Sequence, residues 1–279
     1  MKPVWLNKKI NLNACSDMKR LLRESKLNTV CEQASCPNIA ECFSHNQATF
    51  LILGKYCTRG CKFCNVQNNT PEAVDQEEPM RVAEAVKKLN LSHVVITSVT
   101  RDDLPDGGAK IFAGTVLSIR KLSPGAKIEI LIPDFKLSDE ALATVADSYP
   151  DIIAHNIETV PSLYSLVRQG ASYQRSLDVL RFIKKIAPEI KTKSGIMLGM
   201  GEKEEEVACA MSDLRHASCD FLSIGQYLAP SIKHYPVKEY VTPEKFAFYK
   251  EKGMKLGFLH VQSSPYTRSS YMAHEYLKE

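Results

Sequence analysis

Residues 48–66 read ATFLILGKYCTRGCKFCNV, an apolar run closed by a glycine and followed at once by Cys57, Cys61 and Cys64. The run has the length and composition of a strand buried on both faces, as in a parallel sheet. Parallel α/β folds place their active sites in the loops at the C-terminal ends of such strands. Three thiols in that loop therefore point to chemistry, and their number narrows it. A structural zinc site takes four protein ligands, and a disulfide would leave one of the three unpaired. What fits is a centre with an open coordination position.

Downstream of this stretch the sequence alternates. Further strands are expected at 93–99 (HVVITSV), 127–134 (KIEILIPD), 151–159 (DIIAHNIET), 190–199 (IKTKSGIMLG) and 220–228 (DFLSIGQYL). Helical spacing of apolar residues runs through 77–89, 107–122, 138–149, 172–187, 202–217 and 242–257. Six βα units recur about every thirty residues, which predicts a parallel sheet, either doubly wound or closed into a partial barrel. No glycine-rich dinucleotide fingerprint follows the first strand. Residues 1–47 read as an N-terminal extension, 48–257 as the α/β core and 258–279 as a C-terminal tail, together one compact unit.

At 44% hydrophobic and 24% charged residues, the composition is that of a folded globular domain and excludes disorder. No signal-like apolar segment opens the chain and no run of eighteen apolar residues occurs, so a cytoplasmic protein with no membrane partner is expected. The excess of 36 basic over 32 acidic residues is too small to indicate nucleic-acid binding, though it would suit an acidic protein partner.

Of nine cysteines, six lie between Cys31 and Cys64, a clustering that in a reducing compartment signals metal or catalytic chemistry. Cys209 and Cys219 read as packed residues, and Cys15 has no assigned role. Thiolates select iron–sulfur clusters, zinc or copper(I). The spacing Cys57-x3-Cys61-x2-Cys64, with Phe63 before the last cysteine, resembles the signature of the radical S-adenosylmethionine (SAM) enzymes. The resemblance implies a 4Fe-4S cluster whose fourth iron is chelated by SAM, and whose electron cleaves the sulfonium to give a hydrogen-abstracting 5'-deoxyadenosyl radical. A zinc knuckle borrowing a distant histidine, in a non-enzymatic scaffold, is the competing reading of the thiols.

A second set, Cys31-x4-Cys36-x5-Cys42, precedes the first strand, and Arg268–Tyr271 reads RSSY. The combination resembles the lipoyl synthase family, as do PVWL (3–6), TSVTRDDLPDGGA (97–109), HNIETVPSLY (155–164), TKSGIMLGMGE (192–202) and GQYLAPS (225–231). The resemblance implies a partial (β/α)6 TIM-type barrel and an auxiliary 4Fe-4S cluster on Cys31, Cys36, Cys42 and Ser270, with Ser269 as the fallback ligand. It implies insertion of sulfur from that cluster at carbons 6 and 8 of an octanoyl group on a lysine of a lipoyl-carrier protein domain. It also implies an electron donor such as flavodoxin or ferredoxin, and an iron–sulfur carrier that rebuilds the spent cluster. Another radical SAM sulfur-inserting or methylating enzyme is the alternative. Gly60, Lys62, Asn65, Thr100 and Gln169 depart from the family pattern without removing a cluster ligand. Taken alone, Ser269 and Ser270 could equally cap a helix starting near Tyr271.

Strand alternation adds further site residues. Ala154, Asn156 and Glu158 share one face of their strand, and Lys191, Lys193 and Gly195 share one face of the next. Asn156, Glu158 and Lys193 are thus expected to face a polar cofactor, with an internal Glu158–Lys193 ion pair as the other reading. Arg101, Asp102 and Asp103 lie at the same rim, and Asp106 reads as the start of a helix. His93, His155, His216, His234 and His260 match no metal-ligand spacing and read as packing or surface residues.

Overall fold

The computed structural model describes residues 3–7, 15–44 and 47–277. Its strands are β1 (Asn28–Thr29), β2 (Thr49–Ile52), β3 (Tyr56–Cys57), β4 (Gln67–Asn68), β5 (His93–Ser98), β6 (Lys127–Leu131), β7 (Ile152–Ala154), β8 (Lys191–Leu198), β9 (Phe221–Gln226) and β10 (His260–Ser264). The principal helices are α1 (Ser16–Glu24), α2 (Val30–Gln33), α3 (Ile39–Ser44), α4 (Glu78–Lys88), α5 (Ala109–Leu122), α6 (Asp139–Ala146), α7 (Pro161–Val167), α8 (Tyr173–Ile186), α9 (Glu204–His216) and α10 (Pro243–Lys255).

One sheet runs in the order β1-β2-β5-β6-β7-β8-β9-β10, parallel throughout except for β1, which pairs antiparallel with β2. Its ends do not pair with each other. The result is a barrel left open between β1 and β10. Inward and outward residues of the central strands are both covered. Val94, Ile96, Ile128, Ile130, Ile152 and Ile153 are fully buried, each contributing about 1.5–3 kcal/mol of hydrophobic stabilisation.

Local chemistry sets the helix boundaries. Ser138, Ser172 and Thr242 accept from the third backbone N–H of α6, α8 and α10, and Pro243 occupies the first position of α10. Asp106 accepts from Gly108 N and Lys110 N at the head of α5, as its position in the sequence implied. Among the described residues no helix is long and apolar enough to cross a membrane.

Four features depart from expectation. Residues 260–264 are not tail but a seventh parallel strand on β9; their polar sequence HVQSS hides them, because the neighbouring tail covers one face. The short helix α7 was not anticipated. Cys209 is exposed on α9, whereas Cys219 is buried as expected. No helix begins at Tyr271; a 3-10 turn spans Ala273–Glu275 and takes no side-chain cap, so Ser269 and Ser270 are not capping residues.

After β10 the chain turns back across the sheet. Asn38 Nδ2 donates to the Tyr266 carbonyl at 2.7 Å, joining the N-terminal extension to the tail. Gly225 of β9 sits beneath the Thr267 carbonyl so closely that a Cβ there would collide with it. The tail is seated on the sheet edge because that position has no side chain.

Candidate active site

Cys57 ends β3, and the loop through Cys64 crosses the C-terminal end of the barrel. Thr58 N and Oγ1 both donate to the Thr100 carbonyl, at 3.0 and 2.9 Å, and Asp102 N donates to Thr58 Oγ1 at 3.0 Å. Lys62 N donates to the Val167 carbonyl at 2.9 Å. Two backbone N–H groups, of Arg59 and Thr100, point at Cys57 Sγ from 3.4 and 3.3 Å.

Arg59, inside the loop, is gripped by two carboxylates. Nε and Nη2 donate to Asp102 at 2.7 and 2.8 Å, and Nη1 and Nη2 to Asp134 at 3.0 and 2.7 Å. Asp134 also accepts from Arg175 Nε at 2.8 Å, which brings α8 into the same network. These bidentate, charge-assisted pairs are the strong class of hydrogen bond. Burial pushes the Asp134 carboxyl up, but the Arg59 hydrogen bonds and charge more than reverse this and hold it well below the usual carboxylate range. The rim residues Arg101 and Asp103 pair with each other, Nη2 to Oδ2 at 2.9 Å, and Arg101 Nη1 also donates to the Leu53 carbonyl. They are bound into the scaffold.

Cys57, Cys61 and Cys64 line one cavity of about 200 Å3 together with Phe63, Asn156, Glu158 and Arg168. Asn156 Nδ2 donates to Glu158 Oε1 at 3.1 Å. Glu158 lies beyond the end of β7 in a left-handed conformation, φ 66°, held by a bridge to Ile196. Burial raises its pKa. Gly195 faces the same place, and a Cβ there would come within 2.8 Å of Asn156 Oδ1 and Ser223 Oγ. Burial, with the neighbouring thiols, pushes Cys61 up to about 11 and Cys64 up to about 12. Without a metal these are protonated thiols; bound iron would displace the protons and compensate the buried charge.

Lys193 is elsewhere, and its expected cofactor role does not hold. Its Nζ lies 3.0 Å from both oxygens of Glu129, with both side chains fully buried, so the alternative Glu158 pairing is not formed either. The alternation placed Lys193 correctly inside the barrel. It sits two residues before Gly195, however, which at about 3.3 Å per residue puts it well below the site.

The second thiol set comes from α2, α3 and their connection. Cys31, Cys36 and Cys42 line a common cavity with Ser270, Arg268 and Tyr271. The tail is tied to this segment, since Tyr271 Oη donates to Glu41 Oε1 at 3.1 Å. Burial, and then repulsion from Cys36, pushes Cys31 up to about 11. Ser269 points away, donating to Asn156 Oδ1 at 3.2 Å. Asn65, just after the first thiol loop, donates to the Gln33 carbonyl at 2.9 Å, so the two thiol-bearing segments are in contact.

A larger cavity, about 410 Å3, lies between the sets and touches both, with Cys64 on one side and Cys31, Cys36 and Ser270 on the other. Val30, Phe63, Leu131, Met197, Leu228 and Pro230 give it mainly apolar walls. Sequence reasoning did not single out Arg59, Arg168 or Met197. Arg59 carried a signal in its place between Cys57 and Cys61, while the other two are recognisable only from the fold.

All nine cysteines are free of disulfides. Among the described residues no three His, Cys, Asp or Glu side chains converge as a single metal ion requires. A cubane makes a different demand, because each thiolate binds a separate iron corner. Two sets of three thiols, each lining one cavity, fit two such clusters.

The radical SAM superfamily matches residues 51–214. Solved structures with the same fold include methylornithine synthase, at a TM-score of 0.58 and 17% identity over 92% of this chain and 71% of that one. Another is TYW1 with a lysine–pyruvate adduct bound, at 0.57 and 12% over 86% and 89%. A lipoyl synthase of Geobacter sp. (strain M21) is 58% identical over 99% of this chain and 95% of its own length. One from Caldanaerobacter subterraneus subsp. tengcongensis is 55% identical over 98% and 95%. Identity at this level along almost the whole length, spanning both cysteine sets and the tail, means that the chain belongs to the lipoyl synthase family of the radical SAM superfamily.

Proposed function

We propose that this protein is a lipoyl synthase that inserts two sulfur atoms, at carbons 6 and 8, into an octanoyl group amide-linked to a lysine of a carrier-protein domain. The observation that carries the reading is the apolar cavity of about 410 Å3 shared by both thiol sets. Its volume falls in the range of about 300–1,000 Å3 usual for small-molecule sites. Its apolar walls suit an aliphatic chain with no hydrogen-bonding groups.

When bound, one cluster with SAM would supply the hydrogen-abstracting radical and the other the sulfur. Cys57, Cys61 and Cys64 would hold the first, and Cys31, Cys36, Cys42 and Ser270 the second. Asn156, Glu158 and Phe63 line the cavity beside the first thiol set and would orient SAM there. A serine oxygen is a harder donor than thiolate, so Ser270 would be the ligand that lets go most readily. The apolar walls would keep water from the reacting carbons. The carrier-protein domain, a flavodoxin- or ferredoxin-like electron donor and an iron–sulfur carrier are the partners this chemistry requires, and a reducing cytoplasm suits nine free cysteines.

The test is to incubate the anaerobically reconstituted protein with SAM, a reductant and an octanoyl-lysine peptide, and to weigh the peptide. A product heavier by two sulfur atoms is expected. Release of 5'-deoxyadenosine with a methylated or unchanged peptide would overturn the reading.

A further inference from the structure

The buried Lys193–Glu129 pair has two further neighbours, Tyr276 over the ammonium and His93, whose Nε2 lies 3.8 Å from Glu129 Oε2. Lys193 is the third residue of β8 and Glu129 the third of β6, so both point into the barrel near its N-terminal end, opposite the Cys57–Cys64 loop. Over the ammonium lies the ring of Tyr276, with Nζ 3.7 Å from its centroid, well inside cation–π range. The ring also packs on Phe221 and His260, centroids 5.4 and 4.8 Å away, and shares a small buried cluster with Ile152. Ile152, Phe221 and His260 are the first residues of β7, β9 and β10. Tyr276 therefore stoppers the N-terminal mouth of the barrel.

The path of the tail gives this stopper a consequence. It leaves β10 at the end that carries the thiol loops, where Ser269 meets Asn156. It then passes Ser270 beside Cys31, Cys36 and Cys42, and descends the gap between β10 and β1. Along the way Tyr271 meets Glu41, and Gln47 Nε2 lies 3.3 Å from His274 Nδ1. Only five residues, partly wound into the 3-10 turn, separate Ser270 from Tyr276. Displacing the ring would move the serine.

We propose that Tyr276 is a positioning residue for the auxiliary cluster site: its ring, docked on the buried Lys193–Glu129 pair, holds the tail in the barrel opening and so sets Ser270 opposite Cys31, Cys36 and Cys42. The proposal rests on the reading of Ser270 as a ligand. The ring, rather than the hydroxyl, makes the attachment, because the Tyr276 Oη is buried and has no hydrogen-bond partner among the described residues. Phenylalanine should therefore substitute for tyrosine, and leucine should not.

Two measurements on the full chain test this. In the metal-free protein, trypsin reaches the described part of the tail after β10 only at Arg268. Tyr276→Leu is expected to raise the rate of that cleavage at least tenfold, and Tyr276→Phe to leave it unchanged. In the reconstituted protein, the Mössbauer signature of the serine-ligated iron is expected to change in Tyr276→Leu as it does in Ser270→Ala, and to stay native in Tyr276→Phe. A native tryptic rate in Tyr276→Leu overturns the proposal. So does a native signature in Tyr276→Leu where Ser270→Ala has altered it. If Ser270→Ala itself leaves the spectrum unchanged, the ligand reading falls and takes the positioning role with it.

Discussion

Replacing Asp134 with asparagine tests the ionic clamp on the first thiol loop. The Asp134 side chain is 1% exposed and accepts from Arg59 Nη1 and Nη2, Arg175 Nε and Lys136 N. Asparagine keeps the volume but removes the charge, leaving Arg59, itself 9% exposed, with Asp102 alone. Removing one partner of a buried ion pair costs about 3–5 kcal/mol, because the other charge stays desolvated. For a chain of this length about 1 kcal/mol corresponds to about 2 °C, so the metal-free variant should melt roughly 6–10 °C lower at pH 7. The loss should also depend on pH. Because the folded-state pKa of Asp134 is depressed, its contribution is fully present above the unfolded-state value of about 3.9 and is lost as pH falls below it. The melting difference between parent and variant should therefore shrink progressively below about pH 4. Cys57, Cys61 and Cys64 should meanwhile alkylate faster in the variant at pH 7, as the loop loosens. A melting shift under 2 °C with unchanged alkylation would refute the clamp.

Cys57→Ala, Cys61→Ala or Cys64→Ala should abolish reductive cleavage of SAM, whereas Cys31→Ala, Cys36→Ala or Cys42→Ala should leave cleavage and lose sulfur insertion; chromatography of 5'-deoxyadenosine separates the two cases. Lys193→Met should destabilise the protein by about 3–5 kcal/mol by leaving the buried Glu129 with only His93 Nε2, 3.8 Å away, and the double variant Lys193→Met with Glu129→Leu should recover most of that in denaturant melts. Gly225→Ala should unseat the tail beneath Thr267 at a cost of about 1–3 kcal/mol, visible as faster tryptic cleavage after Arg268.

The sequence by itself determined what depends on neighbours along the chain. Strand and helix periodicity, the serine and threonine caps and the spacing of each cysteine triplet are local, set by backbone geometry within a turn or a pleat. They sufficed for the parallel sheet, for both thiol sets and for the inward face of Lys193. The strand β10 escaped because its sequence carries no apolar run, and Cys209 because a helical pattern alone did not reveal which side of α9 meets solvent.

Tertiary structure decided depth and partners. Alternation tells which way Lys193 points, but only the register of β8 against β7 and β9 reveals that it lies at the bottom of the barrel with Glu129, 64 positions away in the chain. Asp134 grips Arg59 across 75 positions, and Tyr266 meets Asn38 across 228. Chain separation carries no distance at that range. Such contacts exist because the curled sheet leaves one gap, between β10 and β1, that the tail fills, a property of the whole open barrel that no segment of the sequence holds on its own.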